Sequence, residues 1–212
     1  MTTYYKATRI DGTDFRTGTV DYAAALADGA RVRVGTPAQE SYACCTEHVL
    51  HASDAPGETL VGGSWPCRLF EVAGRPVAWR GHKLGFRSLV VLREIEAWRA
   101  LGPNGREVAA FIERVPSALS VTNCRYAAAP ARYAVWNAAI AAALDVAWYA
   151  AWNAAWNAAG SAAWIAAGAV RYTARYVAGY AARALVARGF ITPEQFGALV
   201  EPWRLLTGED LS

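Results

Sequence analysis

The densest set of reactive side chains in this sequence lies between Cys44 and His51, where Cys44, Cys45, Glu47, His48 and His51 fall within eight residues. Thiolate, carboxylate and imidazole are the ligand types that zinc takes, usually four of them converging as a tetrahedron. On a helix Cys44 and His48 would share a face and His48 would neighbour His51, with Cys67 available as a fourth ligand. No CxxC or HxxxH pair accompanies them, so no tightly bound metal is expected, and the cysteines read as small apolar residues. Cys45 and His51 could also form a nucleophile and base, but no residue identifies itself as the third, orienting group. No cofactor is expected either: Val61-Gly62-Gly63-Ser64 lacks the lysine and following helix pattern of a phosphate loop.

A second pattern is larger in scale. Trp136, Ile140, Leu144, Trp148, Trp152, Trp156, Gly160, Trp164, Gly168, Tyr172, Tyr176 and Tyr180 stand four apart, set in alanine. A step of four overshoots a helical turn by about 40°, so the ladder winds round the rod. The helix must therefore supercoil in the right-handed sense or break, and Gly160-Ser161 and Gly168 are the places where breaking costs least. Pro130 suits a first turn and Gly189 a C-terminal cap, which predicts helices over 130–159 and 161–188. No charged side chain lies between Asp145 and Arg171, so the indoles need partners. Trp136, Trp148, Trp152, Trp156, Trp164, Tyr172, Tyr176 and Tyr180 are the expected interaction surface, buried at least partly between chains. A membrane span is not expected, because Asn153, Asn157 and Ser161 interrupt the apolar stretch and the indoles do not gather at two interfaces. Arg171, Arg175 and Arg183 beside the tyrosines offer an alternative use, gripping a nucleic-acid backbone, but three arginines fall short of a basic patch.

The elements that must position these residues divide by composition. Residues 1–126 carry 15 Lys/Arg and 13 Asp/Glu, whereas the remainder is alanine-rich. The predicted organisation is an α+β domain over 1–126 and an Ala/Trp-rich helical region over 127–212, joined at 120–129. In the first, Tyr4 to Ile10 reads as a strand closed by Asp11-Gly12, Thr17 to Val20 as a second strand, and Asp21 to Asp28 as a helical turn ending at Gly29. Arg31-Val32-Arg33-Val34 alternates as a half-buried strand. Ser64 to Val72 and Arg75 to Trp79 bracket Ala73-Gly74 as a hairpin. Phe86 to Leu92 is a strand running into a helix over Arg93–Leu101, which stops at Gly102-Pro103; Arg106 to Val115 is a further helix. The sheet should be small and mostly antiparallel. Near the C-terminus, Thr192-Pro193-Glu194-Gln195 has capping-box spacing and opens a helix that Pro202 interrupts or restarts. Hydrophobic content of 54% is ample for a core, and the net charge of +3 is too mild to argue for nucleic acid. The N-terminal residues have no signal-peptide character and the four cysteines no secreted-framework pattern, so a cytoplasmic location with reduced thiols is expected.

Tyr5-Lys6-Ala7, Leu50-His51-Ala52-Ser53, Ala55-Pro56-Gly57, Cys67-Arg68-Leu69 and Lys83-Leu84 resemble, in that order, a family of bacteriophage and bacterial proteins. That family joins a small β-rich N-terminal domain, carrying a Gly-Leu/Phe-His-Ala motif, to an alanine-rich repeat tail. The likeness covers most of residues 3–100, and the tail continues it; the family's glycine before Leu-His is Val49 here. The resemblance implies a phage or prophage origin, in the host cytoplasm or associated with the virion. Lys6, His51 and Lys83 all lie in the shared stretches and are the candidate catalytic residues. Separately, a first strand with a polar residue followed by a histidine-bearing segment resembles an ADP-ribosyltransferase-like fold, although no Arg/His, Ser-Thr-Ser and Glu series can be laid on the chain. The expected role is nevertheless that of an accessory or structural protein, assembling with itself or with another phage or host protein, because the ladder speaks for contact before chemistry. A concave pocket gathering Lys6, His51 and Lys83 would favour the enzyme; a large apolar contact area would favour assembly.

Overall fold

The computed structural model describes residues 2–38, 41–120, 149–167 and 171–211. The protein is α+β, with a seven-stranded antiparallel sheet followed by helices, as its sequence implies. It divides into two compact units, Met1–Gly102 and Pro103–Ser212. The division falls at the Gly102-Pro103 stop, so the helix after it belongs to the second unit; residues 121–129 of the join expected from composition lie outside the described residues.

In the first unit the strands are β1 (Thr3–Thr8), β2 (Arg31–Arg33), β3 (Leu50–Ser53), β4 (Arg68–Ala73), β5 (Pro76–Arg80), β6 (Lys83–Phe86) and β7 (Ser88–Ile95). Their order across the sheet is β2-β7-β4-β1-β3-β6-β5. β1 and β4 are paired along six positions, from Thr3↔Ala73 to Thr8↔Arg68. One face carries the core: Tyr4, Phe70, Val72, Phe86, Leu89 and Val91 pack together with Tyr22 and Ala25 of helix α1 (Tyr22–Ala27). The Asp21 side chain caps α1 by accepting from the Ala24 N–H at 2.8 Å, and Gly29, at φ 62°, turns the chain into β2. Val32 is buried between two exposed arginines, the alternation its sequence demands.

Three local expectations give way to longer-range effects. Ala73-Gly74 is not a hairpin: β4 pairs with β1 and β7, while β5 pairs with β6. A Cβ on Gly74 would stand 2.7 Å from the Ser88 carbonyl oxygen, so this glycine serves a close backbone pass against β7. Residues 93–95 are strand, with only a short 3₁₀ turn at Ala97–Leu101. Their charges belong to cross-strand pairs, Arg93 with Glu71 and Arg68 with Glu94, each a two-bonded guanidinium–carboxylate contact. Thr17–Val20 forms no strand; it is a loop folded round Asp14.

The second unit consists, among the described residues, of α2 (Gly105–Ser120), α3 (Tyr149–Ala166), α4 (Arg171–Ala187) and α5 (Pro193–Thr207). Val108, Phe111, Val115, Leu185, Leu199 and Trp203 are fully or almost fully buried. Thr192 and Gln195 form the expected capping box, Gly189 takes the expected positive φ, and α5 runs through Pro202 unbroken. The Asn104 amide donates to the Leu185 and Arg188 carbonyls, tying the start of α2 to the end of α4.

α3 and α4 meet through alanine. Ala151, Ala155, Ala159 and Ala163 on one helix, and Ala174, Ala178, Ala181 and Ala182 on the other, are fully buried. The break expected at Gly160-Ser161 is absent: α3 continues through it, because Gly160 is needed for approach to α4. A Cβ there would stand 3.2 Å from the Arg175 carbonyl oxygen. Gly179 likewise makes room for the Trp156 indole, which would come within 2.5 Å of an added Cβ. The second expected break, Gly168, and ladder members Trp136, Ile140, Leu144 and Trp148 lie outside the described residues.

Candidate functional site

β1 and β3 lie side by side in the sheet but share one registered pair, Tyr5↔Ser53. Beyond it the strands part, and a cavity of about 650 Å³ opens in the fork. That volume is within the range of small-molecule sites. Lys6 reaches it from β1, His51 and Ser53 from β3, and Lys83 from β6, where Lys83 is paired with Ser53. Tyr22 of α1 supplies an aromatic wall, with the Lys6 ammonium 5.3 Å from its ring centroid. The three residues named together from the sequence thus line one concave site.

Two loops complete the walls. In the first, the Asp14 carboxylate accepts the backbone N–H groups of Arg16, Thr17, Thr19 and Val20 and the Thr17 hydroxyl, at 2.6–3.2 Å. Desolvation pulls this carboxyl's pKa up, but the bonds from Thr17 and Val20 and the nearby Lys6 ammonium outweigh it and hold it down at about 2. The second is Cys45 to Glu47. Cys45 takes φ 71°, left-handed for a residue with a Cβ, and its N–H donates to His51 Nε2 at 2.9 Å while its carbonyl accepts from Arg16 at 3.3 Å.

Lys6, Arg16, Arg33 and Lys83 face Asp14, Glu47 and Glu58 around the cavity, a small excess of positive charge. Burial lowers the Lys6 pKa to about 8, Asp14 opposing the shift and Lys83 adding to it. His51 is drawn down to about 4 by burial and by Lys83, Lys6 and Arg16. It is therefore a neutral imidazole at neutral pH, accepting at Nε2 and carrying its proton on Nδ1. Among the described residues neither Lys6 nor Lys83 is in an ion pair.

This geometry revises the reading of residues 44–51. The segment before β3 consists of turns and bends, so helical spacing does not bring Cys44 and His48 to one face. The Cys44 thiol points to the Lys83 carbonyl at 3.6 Å, and Cys67 is buried with its thiol pushed up to about 12. Among the described residues no three His, Cys, Asp or Glu side chains are placed to hold a metal. His51 Nε2 is engaged by the Cys45 backbone, which leaves that nitrogen unavailable as a base toward the Cys45 thiol. Val49, standing where the resembled family has glycine, is buried against Gly85.

One compositional signal points to the cavity. The chain has 21 basic residues, of which only Lys6 and Lys83 are lysine, and both line this site. Arginine meets every other need for a positive charge.

In the helical unit the aromatic ladder is only partly buried. Trp152 is buried, and Trp156, Trp164 and Tyr180 are half-buried, with Trp156 edge-on to Tyr176 and Tyr180 and Trp164 edge-on to Tyr172. Tyr149, Ile165, Tyr172 and Tyr176 are exposed, the last two at 68% and 53%. Arg171 and Arg175 lie over Trp164, and Arg183 lies between Trp152 and Trp156, at 3.9 and 4.2 Å from their centroids. Arg183 also donates to Asn153 at 3.0 Å, and burial draws its pKa down to about 10. The arginines therefore stack on the tryptophans of α3, with Arg171 and Arg175 exposed at the surface. No helix among the described residues is long and apolar enough to cross a membrane. Compared with known proteins, the chain matches no family model, no curated protein and no solved structure.

Proposed function

We propose that the N-terminal unit is a receptor for a small anionic molecule, held in the β1/β3 fork by Lys6 and Lys83. The observation that carries this is the convergence of the chain's two lysines on one cavity. Arg16 and Arg33 are also on its wall, and one of its three carboxylates, Asp14, is already saturated by its own loop while Glu47 and Glu58 complete the lining. Two ammonium groups with no ion pair among the described residues repel one another in a partly desolvated site, and an anion between them relieves that repulsion. Pyrophosphate serves as a probe. At a hundredfold excess over its Kd it should stabilise the protein by about 2.7 kcal/mol, a rise in melting midpoint of several degrees. Lys6→Met and Lys83→Met should each remove most of that rise. An equal rise in the double variant would end the proposal.

A second reading concerns the helical unit, which in this proposal is the assembling part of a phage-type accessory protein. Its support is the exposure of Tyr172 and Tyr176, one turn apart on α4, with Ile165 and Tyr149 on α3, since soluble chains seldom leave aromatic steps uncovered. Sedimentation velocity should find a dimer or larger species at micromolar concentration, reduced to monomer by Tyr172→Asp with Tyr176→Asp. A monomer at every concentration would contradict it.

A further inference from the structure

We propose that Lys6 is an imine-forming nucleophile, and that the fork takes an aldehyde or ketone whose carboxylate or phosphate group is held by Lys83. The inference rests on the anion-receptor reading and adds a reaction to it.

The first argument is chemical identity. Arginine supplies 19 of the 21 basic residues, yet the cavity uses lysine twice. A guanidinium stays protonated in proteins and is a better fork for anions, whereas an amine can lose its proton and attack a carbonyl. The second is position. Lys6 lies on β1, the central strand of the seven, with its ammonium over the Tyr22 ring and, among the described residues, no carboxylate in ion-pair contact. Tyr22 is almost wholly buried and its pKa is raised, chiefly by that burial, so the wall beside Lys6 stays uncharged. The third is activation. Desolvation in a buried site is one way a nucleophilic lysine is kept partly unprotonated. Burial is the largest influence on Lys6, outweighing the opposing Asp14 carboxylate, with the Lys83 ammonium adding a smaller push in the same direction as burial.

The step balances without an oxidant or reductant. The Lys6 Nζ lone pair bonds to the carbonyl carbon, and the C=O π pair moves onto oxygen, which takes up a proton as nitrogen releases one. The resulting carbinolamine loses its oxygen as water after a second protonation, the nitrogen lone pair closes the C=N bond as an iminium, and the iminium nitrogen releases its proton, returning the one borrowed for the departing water. Amine and carbonyl become imine and water. Lys83 remains protonated and holds the anionic end, and the neutral His51 adds no competing charge.

The test treats the full chain with glyoxylate, the smallest 2-oxo acid, in the presence of cyanoborohydride, which reduces an imine to a stable N-carboxymethyl mark read by peptide mapping. The chain offers only Lys6, Lys83 and the α-amino group to this reagent. The mark is expected at Lys6 at least about tenfold faster than at Lys83. Pyrophosphate should slow it, Lys83→Arg should leave Lys6 the preferred site, and Lys6→Arg should not divert the mark to Lys83. Equal marking of all three amines, or faster marking of Lys83, would overturn the proposal. If Lys6 stays unmarked while pyrophosphate still raises the melting midpoint, the imine is wrong and the anion receptor stands; if both fail, both are wrong.

Discussion

Replacing Trp203 with alanine is expected to destabilise the helical unit by about 3–5 kcal/mol. Trp203 is fully buried, packs edge-on against Phe111 at 5.0 Å, and donates its indole N–H to Glu209 at 3.2 Å. Glu209 is itself paired with Arg114 at 3.1 Å, so the substitution opens a cavity beside Phe111 and removes a hydrogen bond that helps place the segment after α5. Val108 and Val115, buried on the same helix as Phe111, and Leu199, buried one turn before Trp203, are held by helices of three turns or more, so the space can close only partly. Trp203→Phe should recover most of the packing and none of the hydrogen bond. Guanidinium denaturation followed by far-ultraviolet circular dichroism gives the value; a loss below about 1 kcal/mol would mean that Trp203 is not a core residue.

Asp14→Ala should cost about 3 kcal/mol or more and open the cavity wall. The carboxylate gathers five donors, and hydrogen bonds to a charged acceptor contribute about 1.5–3 kcal/mol each, though not additively. Without it the backbone N–H groups of Arg16, Thr17 and Val20 lose their acceptor, Thr19 keeps only its bond to the Thr17 hydroxyl, and the loop no longer encloses the site. The same group sets an acid response. Its folded-state pKa lies below the ordinary value, so its stabilisation is complete above about pH 4 and is lost as pH falls through about 2. Asp14→Asn, which cannot titrate, should be less stable than the native chain at pH 6 and approach it as pH falls to 2. A constant gap between the two across that range would remove Asp14 from this role.

What could be read from the sequence follows the range of the forces involved. Arg31-Val32-Arg33, the helical turn that ends at Gly29, Gly189 and the Thr192–Gln195 capping box are decided within a few residues, and each is where its pattern puts it. Strand partnership is not local: nothing near Ala73-Gly74 reveals that β4 pairs with β1 and β7 and that β5 crosses to β6. Arg93 and Glu94 suit a helix by propensity, and only their partners Glu71 and Arg68, more than twenty residues back, make them strand. Gly160 carries the same ambiguity, since a glycine that permits a break also permits close helix approach, and the partner Arg175 decides. At the cavity, Lys6, His51 and Lys83 could be named from short matching stretches, but the fork between β1 and β3 and the Asp14 and Cys45 loops depend on the fold. The scarcity of lysine was the sequence signal most specific to the site, visible without any structure.

Because the chain has two lysines, selective ¹³C labelling of lysine should give two Cε signals, one for Lys6 and one for Lys83, which Lys83→Arg assigns. Titration with pyrophosphate reports on both lysines at once. If the fork is an anion receptor, both signals shift along saturating curves that share one dissociation constant, and Asp14→Ala weakens it. If neither signal moves, or both drift without saturation as ionic strength rises, Lys6 and Lys83 do not form a common binding site and the fork is not an anion receptor.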